Sequence, residues 1–359
     1  MATRTRASAP RHMWLVYLSI LLSVIALAVS FYSYTHGKTV YINQTRTVYV
    51  SNTVNSTQNV TLSQYSVNST LITPLYYLTS SPPITSNGAP GDTFNGLNTE
   101  LNATDLAVIN NASDAYFEEA GELYLNDSLA NSVGTSAKTV PAFIVNGKPS
   151  VIYLGSITCI FCGENRWAMA LALSRFGGFS TLFTGFSSKG DGDIPTLYWS
   201  PATYNQSSMD FGSFYTSNYI NFIAFEDTDP ITGGFDIQPL AQMQEFVNAT
   251  GNLAYIDAFK YILQINNFGG TPYTIWGARQ INGADAIDFG NSSSEAPLPF
   301  ANWTHAQVFS LLKTPNSQFA WTEYAAADLY IAMVCGTINN TAPVCSLSAI
   351  TQIEKANGY

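Results

Sequence analysis

The segment around two closely spaced cysteines constrains this chain more than any other. The run Ser150-Val151-Ile152-Tyr153-Leu154-Gly155 is apolar and β-branched, which predicts a buried strand. Glu164 to Phe176 is a strong helix former that Gly177-Gly178 is expected to close. Cys159-Ile160-Phe161-Cys162 lies between the two, so the CxxC falls at a strand-to-helix junction. Free backbone N–H groups and the positive end of the helix dipole stabilise a thiolate there. Cys159 is therefore the expected nucleophile, and Cys162, one turn on, the thiol that resolves a mixed disulfide. Ile160 and Phe161 add neither charge nor hydrogen bond, so the motif leaves the redox direction open.

Two other uses of the pair stay open. A purely structural Cys159–Cys162 disulfide persists in an oxidising compartment without turning over. A zinc ribbon would need a second close pair, whereas Cys335 and Cys345 stand ten positions apart. Those two are expected to form a structural disulfide, because the helix Ala325 to Val334, ended by Gly336, and the loop through Asn339, Asn340 and Pro343 lead from one to the other. That bond would tie the penultimate helix to a last helix at Ser348 to Lys355.

Residues 13–34 run for 22 positions without a charge, long enough to cross a bilayer as a helix. Arg4, Arg6 and Arg11 precede the run and no acid appears before Asp92, which predicts a cytoplasmic tail (1–12), a signal anchor (13–34) and an extracytoplasmic remainder. Ala26-Leu27-Ala28 imitates a cleavage site, so a removed signal peptide is the alternative. Twelve Asn-X-Ser/Thr sequons follow, all on the proposed outer side, which is compatible with a cell-membrane glycoprotein.

Residues 35–100 are rich in Ser, Thr and Asn and nearly uncharged, and read as a stalk. The domain proper is expected over 101–359, opening with one or two helices between residues 102 and 131. Glu118, Glu119 and Glu122 there read as a solvated face. The charge balance, 14 basic against 24 acidic residues, excludes a nucleic-acid footprint. His12 and His36 flank the membrane segment and leave His305 as the one histidine of the globular part, which excludes multi-histidine metal centres, and no metal site is expected. A charged fraction of 11% with a pI near 4.6 suggests exposure to an acidic exterior.

Three stretches, VIYLGSITCIFCGENRWAMALALSRFGGF, GTPYTIWGARQINGADAIDFG and YAAADLYIAMVCGTINNTAPVC, resemble a family of membrane-anchored archaeal and actinobacterial proteins catalogued as a domain of unknown function, with a thioredoxin-like core. The resemblance implies an α/β, thioredoxin-like fold in which the CxxC helix carries an Arg-Trp pair, here Arg166 and Trp167, and the C-terminal cysteine pair recurs. Such a fold needs a proline before the strand that faces the CxxC, so that the backbone there pairs with a visiting chain. Gly270-Thr271-Pro272-Tyr273 fits, adding Pro272 to the catalytic set and Thr271 and Tyr273 as substrate-binding residues.

Cys162 and Pro272 are 110 positions apart, so a helical insertion is expected. Its pieces are strands at Ser180 to Phe186 and Tyr219 to Phe225, and helices at Leu240 to Thr250 and Leu253 to Gln264. Glu226, Asp227 and Asp229 read as a solvated turn, with calcium the less favoured alternative. Arg166 reads as a surface or packing residue, Trp167 as core and Glu164 as a first-turn acid. The expected function is thiol–disulfide exchange with extracytoplasmic proteins, without an organic cofactor. The competing expectation is an inert, disulfide-stapled surface-binding module on the same scaffold.

Overall fold

The computed structural model describes residues 65–67, 75–76, 99–126, 137–156, 159–187, 194–200, 209–227, 240–266, 273–282, 303–315 and 317–359. The expected membrane segment, 13–34, lies outside them. Among the described residues no helix is long and apolar enough to cross a membrane.

The chain runs through β1 (Tyr65–Val67), β2 (Leu75–Tyr76), α1 (Ala103–Asn110), α2 (Asp114–Asn126), β3 (Lys138–Thr139), β4 (Phe143–Val145) and β5 (Lys148–Ser156). Then come α3 (Ile160–Ser174), β6 (Gly177–Phe179), β7 (Phe183–Phe186), β8 (Pro195–Tyr198), β9 (Met209–Phe211), β10 (Tyr215–Ser217) and β11 (Asn221–Asp227). The rest is α4 (Leu240–Ala249), α5 (Leu253–Asn266), β12 (Tyr273–Trp276), β13 (Arg279–Asn282), α6 (His305–Lys313), α7 (Gln318–Thr337) and α8 (Ser348–Asn357).

β5 is central. It pairs in parallel with β11, Ser150 opposite Asn221 through Ser156 opposite Asp227. On its other edge it pairs antiparallel with β12, Leu154 opposite Tyr273. The main sheet reads β2-β9-β11-β5-β12-β13-β3, with β4 on the start of β5 and β1 on β4. Side chains alternate across a strand, so each strand feeds two cores. Val151, Tyr153, Phe222, Ala224 and Trp276 face a core built with α3 and α7. Ile152, Leu154, Ile223, Phe225 and Ile275 face a second core built on Tyr255, Phe259 and Ile262 of α5. A strand buried on both faces reads as a continuous apolar run, which is why 150–155 shows no alternation.

The expected elements recur with shifted ends. α4 and α5 match the two insertion helices, and β7 and β11 the two insertion strands. α3 stops at Ser174 rather than at Gly177-Gly178, which instead lie in β6, where the carbonyl of Thr216 leaves no room for a Cβ at Gly177. Gly336 does not end its helix: α7 continues to Thr337, and Asn339 and Asn340 take the left-handed conformation at φ 53° and 56°. Asparagine tolerates that region through its short polar side chain. A turn at Gly277-Ala278 follows β12, and Arg279 to Asn282 form β13. The stalk is not wholly a spacer. β1 and β2 fall inside 35–100 yet join the sheet, and Val67 is buried in the second core, so the domain begins before residue 101.

Glu119 and Glu122 are exposed as expected. Glu118 is not a solvated acid: its carboxylate accepts the N–H groups of Ser348 at 2.8 Å and Ala349 at 2.9 Å. It thereby caps α8, whose own N-cap residue, Leu347, offers no side-chain acceptor. Cys335 and Cys345 form the expected disulfide, with Cα atoms 5.5 Å apart. Replacing both by alanine should lower stability by about 2.5–3 kcal/mol, the chain-entropy value for so short a ring. An unchanged urea midpoint would show that α7 and α8 hold together without it.

Candidate functional site: a buried dithiol at the start of α3

Cys159 is the N-cap of α3, with φ −71° and ψ 128°, and its sulfur accepts the backbone N–H of Cys162 at 3.4 Å. The helix behind it is buried on every side from Cys162 to Ser174, because it lies between the sheet, α7 and β8. Trp167 is core, as expected, and donates its indole N–H to the carbonyl of Pro195 at 3.0 Å. The hydroxyl of Tyr330 on α7 donates to Asn165 Oδ1, while its ring stacks on Trp276 of β12 at 4.3 Å. These contacts lock α3 against the sheet and fix where the cysteines stand.

Both cysteines are free thiols. Cys159 keeps 7% of its surface and Cys162 none. The neighbouring Phe161 is half-buried, the one helix residue between Ile160 and Ser174 that is not buried. The Cys159 thiol is pulled below its ordinary value, first by the hydrogen bond from Cys162, against burial, and then by backbone N–H groups and the Arg166 charge. Cys162 is pushed well up, first by burial and then by its partner sulfur. The dithiol is thus asymmetric: Cys159 gives up its proton more readily than an ordinary thiol, and Cys162 less readily.

Arg166 is neither a surface nor a plain packing residue. It is fully buried, and its Nε and Nη2 donate to Glu226 Oε1 and Oε2, each at 2.8 Å. Nη2 also donates to the carbonyl of Ser156 at 2.8 Å, and the guanidinium lies 5.5 Å from the ring centre of Tyr198 and 5.9 Å from that of Tyr153. Glu226, read as part of a solvated turn, is 3% exposed at the end of β11. A guanidinium in a dry site needs a planar, bidentate acceptor, and a carboxylate in parallel register with the CxxC strand supplies one. The signal was present in the sequence as one arginine in a mostly apolar helix and two adjacent acids ending an apolar strand.

Glu164, read as a first-turn acid, lies past the first turn of α3, which holds no acid, and is buried. His305 stands with Nε2 at 2.9 Å from the carbonyl oxygens of both Gly185 and Thr196, which ties α6 to the β7–β8 hairpin. Among the described residues no group of three or more His, Cys, Asp or Glu is placed to hold a metal ion. Thr271 and Pro272 lie outside the described residues, as does Asp229. Tyr273 is described. Its side chain is buried in the second core, on the face of the sheet away from α3, so its side chain does not serve as a contact for a visitor at the CxxC.

The fold and site define a mixed α/β protein that presents an asymmetric dithiol at the first turn of a buried helix. Residues 139–250, which include the dithiol, Arg166 and Glu226, match the model of a family described as a domain of unknown function (DUF929). No curated protein matches the chain, and no solved structure does.

Proposed function

We propose that this protein is a membrane-anchored thiol–disulfide oxidoreductase with a thioredoxin-like domain, acting on protein thiols and disulfides outside the cytoplasm. The observation that carries the reading is the Cys159 sulfur at the helix N-cap, hydrogen-bonded by the N–H of Cys162 and favoured as thiolate. The strand order β11-β5-β12-β13 supports the thioredoxin-like part: the CxxC strand is central, with a parallel neighbour on one side and an antiparallel hairpin on the other. Cys159 retains the remaining exposure and attacks first; Cys162, wholly enclosed, reaches only a sulfur already bonded to its neighbour. No organic cofactor enters the exchange, and electrons pass to or from another thiol couple. The charge-free run 13–34 supports the anchor, and the sequons downstream support an outward-facing domain.

The test is the pH dependence of iodoacetamide alkylation in Cys162→Ser, with reduction of a protein disulfide by the full chain measured in parallel. Cys159 is expected to titrate below the ordinary thiol value of about 8.5. The burial of both sulfurs favours a second reading, a passive binding module whose dithiol does not turn over. An ordinary Cys159 titration together with no disulfide reduction would decide for that module.

A further inference from the structure

Several groups converge on Gly155 and Ser156 at the end of β5. The N–H of Ser156 donates to Cys162 Sγ at 3.4 Å, and its carbonyl accepts from Arg166. Glu226 stands opposite Gly155 in the parallel register with β11. Tyr153, two residues back on the same face of β5, lays its hydroxyl over Gly155, where a Cβ would collide with it. That hydroxyl is buried and has no hydrogen-bond partner among the described residues. Buried donors are nearly always satisfied, so an unsatisfied one over Gly155, next to the Ser156 N–H that donates to Cys162 Sγ, calls for a reason.

We infer that Tyr153 is a positioning residue for the second half of the exchange, its hydroxyl being the donor held for the Cys162 sulfur as that sulfur becomes anionic. The inference rests on the exchange reading above. In the resting dithiol Cys159 is the sulfur favoured as thiolate, and burial favours the protonated form of Cys162. Once Cys159 is joined to a partner sulfur, its charge is gone and Cys162 must ionise in a dry site. Cys162 then loses its proton and its sulfur attacks Cys159 Sγ. The Cys159–Cys162 bond forms and the bond to the partner breaks. The partner sulfur leaves with the electron pair and takes up the proton. The charged groups facing this sulfur are Cys159 and Arg166 from α3 and Glu226 from β11, with the Tyr153 ring itself from β5. Arg166 favours the new charge and Glu226 opposes it, so a neutral donor adds stabilisation that the ion pair does not supply. Gly155 is the slot that lets the phenol reach that far.

Tyr153→Phe removes only the hydroxyl. In a Cys159→Ser background, titration followed by the 13Cβ resonance of Cys162 reads that sulfur with no partner and no turnover. The midpoint is expected to rise by about one pH unit, which is about tenfold less thiolate at a given pH. The titration of Cys159 in a Cys162→Ser background should stay in place. In the full chain, a mixed disulfide of Cys159 with 5-thio-2-nitrobenzoate should release that thiol about tenfold more slowly when Tyr153 is Phe. Gly155→Ala, which displaces the hydroxyl while keeping the ring, should reproduce both effects. Unchanged Cys162 titration and unchanged release in Tyr153→Phe overturn the inference. No release from the wild-type mixed disulfide removes the exchange reading and Tyr153's part in it, while the titration still decides whether the hydroxyl donates to Cys162.

Discussion

Replacing Glu226 by glutamine is expected to cost the fold about 3–5 kcal/mol, because it leaves the guanidinium of Arg166 buried and without its counter-charge. The pair has almost no contact with solvent, at 0% and 3% exposure, so screening does not reduce its worth. Arg166→Met should cost a similar amount by stranding the carboxylate. The double variant Arg166→Met/Glu226→Met should recover most of the loss, since a well-packed apolar pair needs no desolvation. Urea midpoints of the three variants check this; a loss in the double variant equal to the sum of the two single losses would mean that each residue acts through packing alone. Sulfur chemistry separates the two roles of the pair. The Arg166 charge helps to hold Cys159 as thiolate, so Cys159 should titrate higher in the double variant even where stability has returned.

The second large effect concerns a carboxyl far from the cysteines in sequence. Asp328 of α7 is fully buried, with no hydrogen-bond partner for either carboxylate oxygen among the described residues. It faces the close crossing of α2 and α8 at Gly121 and Ala349. Burial, and then the charge of Glu118, push its pKa well above the ordinary value. Glu323, one and a half turns earlier on the same helix, is pushed up by burial as well. The sign follows from linkage. Above the unfolded pKa the unfolded chain gives up a proton that the folded chain keeps, so stability falls as pH rises, and it is fully present only below the unfolded value. Over that window each such group removes about 1.4 kcal/mol per pH unit, until its folded pKa is reached. Asp328→Asn should therefore raise the melting temperature at neutral pH, leave it nearly unchanged near pH 3, and flatten the profile between. A melting temperature that rises from pH 4 to pH 7 in the native chain, unaltered in slope by Asp328→Asn, would contradict this. A fold that gains stability on acidification accords with the low charged fraction and pI near 4.6.

The dithiol was legible because its signals are local. A β-branched run, a CxxC and an apolar helix in succession define a strand, a cap and a helix whatever surrounds them, and Cys159 is that cap. The C-terminal disulfide was legible for the same reason, a helix and a loop leading from one cysteine to the other. Element ends were less so. Gly177 and Gly336 look like helix stops, yet one lies in a strand against Thr216 and the other stays helical, because packing overrides the weak preference of glycine to end a helix.

The charged residues misled most. Arg166, Glu226 and Glu118 are each surface residues by type, and the apolar stretches around Arg166 and Glu226 do not say which charge partners which. Arg166 and Glu226 are 60 positions apart, and they meet only because β11 lies parallel to β5 in a register that sets Glu226 beside Gly155. Glu118 reaches the start of α8 across 230 positions. Local periodicity and capping chemistry determined the strand, the helix and the sulfur that caps it. Which charges were taken from water to surround that sulfur was decided by strand register and helix packing, since the penalty for burying a charge is offset only by a partner brought from elsewhere in the chain.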